Sequence, residues 1–250
     1  MKAVAIVLAS GSGQRFGEKT KPKHLTHILE VPVLVWTLNT IINSKLFSAI
    51  NIVTRKNDLT QTENIVREYF SIDMFPLLFT EGSKKKRIES FLLGLGKIND
   101  INLINKETII ALFDANRPFT PSRQIKDLFE TSLEFGCSCP ARPVINGVAR
   151  IDSGRIINIP DKSTFAEFVT PEFIKFSILE ESLEKYKDSF KSLVEYALAI
   201  GIEPTPVEAY SLNAKLTYPE DKTFLDGLAL DNQLLTPSKF NILKRDRKKI

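Results

Sequence analysis

Along this chain, short unbroken apolar runs alternate with longer stretches in which apolar residues recur every three or four positions. Residues 3–8 form the first run, and its length and Val/Ile content suit a strand buried on both faces. Residues 50–54, 75–80, 108–113 and 207–211 predict further strands. Helical spacing marks residues 33–42, 60–70, 86–97, 123–135, 173–186 and 189–200, and Thr120-Pro121-Ser122 and Pro219-Glu220-Asp221 read as helix starts. Residues 145–159 contain the turn signals Asn146-Gly147 and Ser153-Gly154 and predict a hairpin. Strand and helix alternate over most of the length, which predicts an α/β fold with a mostly parallel sheet covered by helices.

Composition adds bounds to this picture. At 250 residues and 43% hydrophobic content, the chain can bury one large core, so residues 1–230 are expected to form one domain and 231–250 a basic tail. No apolar run is long enough to span a bilayer, and Met1-Lys2 leads directly into the first strand. The expectation is a cytoplasmic protein with no membrane partner. Cys137 and Cys139 are too few and too close for a disulfide framework or a zinc site and read as small buried side chains. The net charge of +4 is partly terminal, in Lys244-Arg245-Asp246-Arg247-Lys248-Lys249, and a solvated tail is expected there with no nucleic-acid partner.

Candidate chemistry gathers where the strands end. The first run passes into Ala9-Ser10-Gly11-Ser12-Gly13-Gln14-Arg15-Phe16-Gly17 and then Pro22-Lys23. Bare glycine backbone lets N–H groups close around an anion, and Arg15 and Lys23 are two cations able to grip one polyphosphate. Neither the dinucleotide fingerprint nor the Walker loop is met: Phe16 stands where the third glycine belongs, and no Gly-Lys-Ser/Thr follows. Glycines alone also suit a tight turn with solvated charges. Lys84-Lys85-Lys86-Arg87 opens a helix, where cations are unfavourable beside the dipole unless an anion neutralises them. Asp114 follows the strand at 108–113 and precedes Ala115-Asn116-Arg117-Pro118, at the strand end where ligands collect in open parallel sheets.

These residues carry a resemblance. Residues 9–17 with Pro22-Lys23 are similar to the signature of nucleotidyltransferases that couple a sugar or polyol phosphate to a nucleotide. Pro22-Lys23-His24-Leu25, followed by Val31-Pro32-Val33-Leu34, looks most like their cytidylyltransferase branch, whose members act on methylerythritol phosphate or ribitol 5-phosphate. Arg87, Ser90, Gly94 and Leu95 reproduce its Arg-x-x-Ser-x-x-x-Gly-Leu pattern, with a single Gly82 where relatives have paired glycines. Phe113-Asp114-Ala115-Asn116-Arg117-Pro118 resembles His-Asp-Ala-x-Arg-Pro, with Phe113 replacing the histidine. Ile159-Pro160-Asp161-Lys162 and Thr170-Pro171-Glu172-Phe173 resemble the Ile-Pro-x-Arg and Thr-Pro-Gln-x-Phe segments of the ribitol-phosphate type. Asn213-Ala214-Lys215-Leu216-Thr217-Tyr218-Pro219-Glu220-Asp221 resembles Asn-Ile-Lys-x-Thr-x-Pro-x-Asp.

The resemblance implies a Rossmann-like, mostly parallel sheet flanked by helices, with a projecting β-arm near 145–160 that joins two subunits into a homodimer. It implies CTP- and Mg2+-dependent transfer of CMP to a small phosphorylated polyol or sugar of the ribitol 5-phosphate kind, with release of pyrophosphate. The alternative acceptor is the methylerythritol phosphate of isoprenoid synthesis, disfavoured because Asn146-Gly147-Val148-Ala149 stands where that type carries Asp-Thr-x-Lys. A further alternative is a catalytically weak nucleotide-binding protein on the same fold. By resemblance Arg15, Lys23 and Lys215 are catalytic, and Ala9, Ser10, Gly11, Ser12, Gly13, Gly82, Arg87 and Ser90 bind nucleotide. Asp114, Arg117, Lys162, Thr170 and Lys191 take the acceptor, with Asp114 also holding the magnesium.

Overall fold

Strand β1 (Ala3–Leu8) is buried at every position. The computed structural model describes residues 3–11, 16, 22–70 and 75–231, and the basic tail expected beyond them lies outside the described residues. After β1 come a small hairpin, β2 (His27–Ile28) and β3 (Val31–Pro32), and then α1 (Val33–Asn43), β4 (Phe47–Thr54), α2 (Leu59–Tyr69), β5 (Leu77–Glu81), α3 (Arg87–Asn99) and β6 (Ile109–Asp114). β1 lies between β4 and β6 and runs parallel to both, and β5 continues the parallel set beside β4. Parallel neighbours need crossovers, and the helices supply them.

The second half of the chain departs from this regularity. It runs through α4 (Ser122–Phe135), β7 (Cys137–Pro143), β8 (Arg150–Asp152), β9 (Arg155–Asn158), β10 (Ala166–Phe168), β11 (Glu172–Lys175), α5 (Phe176–Tyr186), α6 (Leu193–Ala199), β12 (Thr205–Glu208) and α7 (Asp221–Asp231). The main sheet has the order β10-β7-β11-β6-β1-β4-β5, with β12 beside β7. β11 is antiparallel to both β6 and β7, so the sheet is mixed and mainly parallel.

Alternation along β1 divides the core between two layers. Ala3, Ala5 and Val7 face a layer with Trp36, Phe47, Phe113 and Phe173, while Val4, Ile6 and Leu8 face one with Phe91, Leu179 and Tyr196. Helices cover both faces, which is why the strands read as continuous apolar runs. On the second face α3 approaches closely: a Cβ on Gly94 would lie 2.6 Å from Val53 Cγ2 and 3.0 Å from Ile6 Cγ2.

Three expectations are corrected. The helix expected at 173–186 begins only at Phe176, because Phe173 and Ile174 are buried in β11, where their backbone pairs with strands on both sides. A short apolar pair before a helix has no periodicity of its own to separate it. The helix expected at 189–200 contracts to Leu193–Ala199, because Ser192 caps it in a reciprocal box with Glu195. The last strand is Thr205–Glu208, ending earlier than 211. β7 was hidden by Pro140 and Pro143, residues that argue against a strand inside a sheet.

The hairpin β8–β9 turns at Ser153 and Gly154, both at positive φ, as the Ser-Gly signal predicts. Ile145, Ile151, Ile156, Ile157 and Ile159 on this segment are exposed. Among the described residues, no helix is long and apolar enough to cross a membrane.

Candidate active site

Because β1, β4, β5 and β6 are parallel, the loops that follow them converge on one edge of the sheet. They enclose a cleft of about 990 Å³. Of the residues expected at a site, Ala9, Ser10, Gly11, Lys23, Gly82, Arg87, Ser90, Asp114 and Lys215 all line it. Among the described residues its walls carry eight cationic side chains, Lys23, Arg55, Lys56, Lys84, Lys85, Lys86, Arg87 and Lys215, against two carboxylates, Asp58 and Asp114. Such an excess attracts a polyanion, and the low-dielectric walls concentrate the field.

Gly82 sits where a side chain does not fit. An added Cβ would lie 2.9 Å from both Ser10 Cβ and Ser90 Oγ. Its N–H donates to Thr54 O at 2.8 Å, Ala9 N–H donates to Val53 O at 2.7 Å, and Ser10 Oγ donates to Ser90 Oγ at 3.2 Å. The loops after β1 and β5 are thereby fixed to the end of β4 and to the first turn of α3.

Asp114 at the end of β6 is the centre of the charge arrangement. Arg87 Nη2 donates to its Oδ1 at 2.8 Å, while Lys215 Nζ at 2.7 Å and Thr170 Oγ1 at 2.9 Å donate to Oδ2. Arg117 Nε lies 3.7 Å from Oδ2 and donates to Thr170 Oγ1 at 2.9 Å. Burial works against the Asp114 charge, but Arg87, Lys215 and Arg117 prevail and hold the carboxyl far below the usual range. Burial lowers the Arg117 pKa, whereas for Arg87 the pull of Asp114 and Glu172 overcomes burial and raises it.

Chain ends far apart in sequence are pinned here by hydrogen bonds. Arg117 Nη1 donates to Asn213 O at 2.7 Å, and Asn213 Nδ2 donates to Thr170 O at 2.8 Å. Leu216 N–H donates to Asn116 O at 2.9 Å and Asn116 Nδ2 donates back to Leu216 O, which places Lys215 against Asp114. At the other end of the cleft His24 is buried with Nε2 2.9 Å from Thr62 Oγ1 of α2, so the turn carrying Lys23 is docked on that helix. Burial lowers the His24 pKa to about 4, leaving the imidazole neutral.

Not every expected residue joins this cluster. Lys162 lies on the exposed arm with its Nζ donating to Ile145 O at 2.6 Å, and Lys191 meets the site only through its carbonyl, which accepts from Arg87 Nη1 at 3.3 Å. Arg15, Ser12 and Gly13 lie outside the described residues. Arg55, Lys56, Asn213 and Glu172 were missed. The first two follow a strand on the productive sheet edge, a placement that could have flagged them. The other two become visible only when their partners are known.

For magnesium, the donor set among the described residues holds no group of three or more His, Cys, Asp or Glu. Asp114 offers one carboxylate whose Oδ1 takes a single bond from Arg87. Magnesium binds in this manner when phosphate oxygens and water complete its shell, so the residues fit an ion that arrives with a triphosphate.

Known proteins resemble this chain over most of its length. The family model described as "IspD: 2-C-methyl-D-erythritol 4-phosphate cytidylyltransferase" matches residues 3–228. A 2-C-methyl-D-erythritol 4-phosphate cytidylyltransferase from Caldicellulosiruptor saccharolyticus is 27% identical over 232 residues, covering 91% of this chain and 97% of the relative. The solved enzyme of that name from Francisella tularensis superposes with a TM-score of 0.73 at 19% identity, over 91% of this chain and 99% of that one. A 4-diphosphocytidyl-2C-methyl-D-erythritol synthase from Anaerococcus prevotii gives 0.71 at 20% identity, over 92% and 99%.

Proposed function

This chain belongs to the IspD family and is a cytidylyltransferase, and from that premise we propose that it transfers CMP from CTP to 2-C-methyl-D-erythritol 4-phosphate with release of pyrophosphate. The ribitol-like acceptor expected from residues 159–173 has less support, since the family model and the relatives above carry the methylerythritol name. The observation that carries the reading is the position of Asp114. It stands between Arg87 on the nucleotide side and Thr170, Arg117 and Lys215 on the side left for an acceptor.

The acceptor's phosphate oxygen is ionised at neutral pH, so in-line attack on the α-phosphorus needs no general base. The site agrees: Asp114 is held ionised far below the range where it takes a proton, and His24 is buried against Thr62. Catalysis is then alignment and charge neutralisation. Gly11 and the neighbouring backbone, with Lys23 and Arg15, hold the triphosphate. Ser10, Gly82 and Ser90 bound the base and ribose. Lys215 and Arg117 orient the acceptor beside Asp114, and Thr170 keeps that carboxylate in register. Magnesium, held by Asp114 with the triphosphate oxygens, would supply charge neutralisation at the phosphates. Lys162 supplies further charge for the acceptor phosphate from the arm of a second subunit, while Lys191 contributes its carbonyl to Arg87.

A second reading keeps a ribitol-type acceptor. Asn146-Gly147-Val148-Ala149 at the arm's base lacks the acid and lysine of the methylerythritol pattern. The test is pyrophosphate release by the purified enzyme with CTP and each polyol phosphate in turn. Faster turnover of 2-C-methyl-D-erythritol 4-phosphate supports the first reading. Faster turnover of ribitol 5-phosphate replaces it with the second.

A further inference from the structure

We propose that Glu172 is a positioning residue for the transfer, holding Arg87 in the orientation in which it meets Asp114. The proposal rests on the cytidylyl-transfer reading above. Glu172 opens β11, sits opposite Leu112 of β6 and is 2% exposed. A carboxyl so deeply buried requires partners. Its Oε2 accepts from the backbone N–H of Leu193 at 2.5 Å and of Val194 at 3.3 Å, the first two residues of α6. Its Oε1 lies 3.8 Å from Arg87 Nη1.

Arg87 is thus held from two sides. Nη1 faces Glu172 and also donates to Lys191 O, while Nη2 donates to Asp114 Oδ1. A guanidinium is planar, so fixing one amino group fixes the direction of the other. The Arg87 side chain is 38% exposed at the cleft wall, and without Glu172 it would be free to turn toward the triphosphate or solvent. Glu172 does not line the cleft, so its effect passes through Arg87. The same carboxyl ties the start of α6, and with it the Lys191 carbonyl, to the acid at the end of β6.

A purely structural role, capping α6, is the competing explanation. Glu172→Gln separates the two, because the amide oxygen still accepts from Leu193 and Val194 while the charge facing Arg87 is gone. Assayed at about pH 8, above the value of about 7 to which burial raises Glu172, this variant is expected to melt close to wild type, to lose roughly fivefold in kcat and to keep its KM for CTP within about twofold. Arg87→Ala loses more, and the double variant is no slower than Arg87→Ala alone, because both changes remove one interaction. Wild-type kcat in Glu172→Gln, or losses that multiply in the double variant, would overturn the proposal. Should Glu172→Gln not fold, Arg87→Lys tests the contact from the other side. It keeps the cation without the fork, and an unchanged kcat there overturns the proposal equally. Wild-type enzyme that releases no pyrophosphate from CTP with either polyol phosphate would defeat the functional reading and this inference together. Normal wild-type turnover with a failed cycle defeats this inference alone.

Discussion

Two buried groups, Glu172 and His24, leave opposite marks on stability. Glu172 is pushed up to about 7, chiefly by burial, so the folded chain keeps a proton that the unfolded chain gives up near 4.5. Its contribution is complete below that ordinary value and is lost as pH rises through 7. His24 falls to about 4 from an ordinary 6.5, again by burial, so its contribution is complete above 6.5 and is lost as pH falls through 4. Between these limits the two slopes oppose one another. Glu172→Gln removes one of them, and its melting temperature should fall more steeply than that of wild type when pH is lowered from about 6.5 to about 5. Parallel melting curves for the two proteins would contradict this assignment of the titrating groups. At this scale the sequence revealed the groups that recur in a motif, Asp114, Arg87, Lys215 and Lys23, because their neighbours in the chain identify them. It did not reveal what fills the departures. Phe113 stacks edge-on to Phe47 and Phe173 at ring separations of 5.7 and 5.9 Å, and Asn116 bonds to Leu216, partners that only folding brings near.

The elements were legible in proportion to their regularity. β1 and β6 announce themselves because burial on both faces writes an unbroken apolar run, and α2 to α4 because each buries one stripe. β7 and β11 escape because one contains two prolines and the other is four residues long. α3 is placed tightly against the sheet, since Gly94 leaves no room between it and Val53. Gly94→Ala should therefore cost about 1–3 kcal/mol in urea unfolding, because Ile6 and Val53 lie in the packed centre of the sheet. Displacing α3 also moves Arg87 and Ser90 at its N-terminal end, so the loss of turnover should exceed what the unfolded fraction explains. A Gly94→Ala variant as stable as wild type would show that the helix can slide without cost.

For the whole molecule, the exposed arm is the feature that a single chain does not account for. Ile151 and Ile156 are cross-strand partners in β8–β9, yet they are 66% and 65% exposed. Apolar surface arranged in this way suits a contact surface, and the proposal is that a second copy of the chain covers it. Light scattering at micromolar concentration should return twice the chain mass. Replacing Ile151 and Ile156 together by Asp should return one chain mass, with melting of the monomer retained and turnover lost. A fully active monomer would show that each chain completes its own acceptor site.

The mutual hydrogen bonds of Asn116 and Leu216 also impose an order in time. Synthesis delivers β1, β4, β5 and β6 long before Lys215 leaves the ribosome, and a domain folds as a unit. A half-made chain therefore carries Arg87 and Asp114 without the lysine and the Asn213 carbonyl that complete the acceptor side. Until that lysine emerges, Asp114 lacks the cation that meets its Oδ2 in the finished chain.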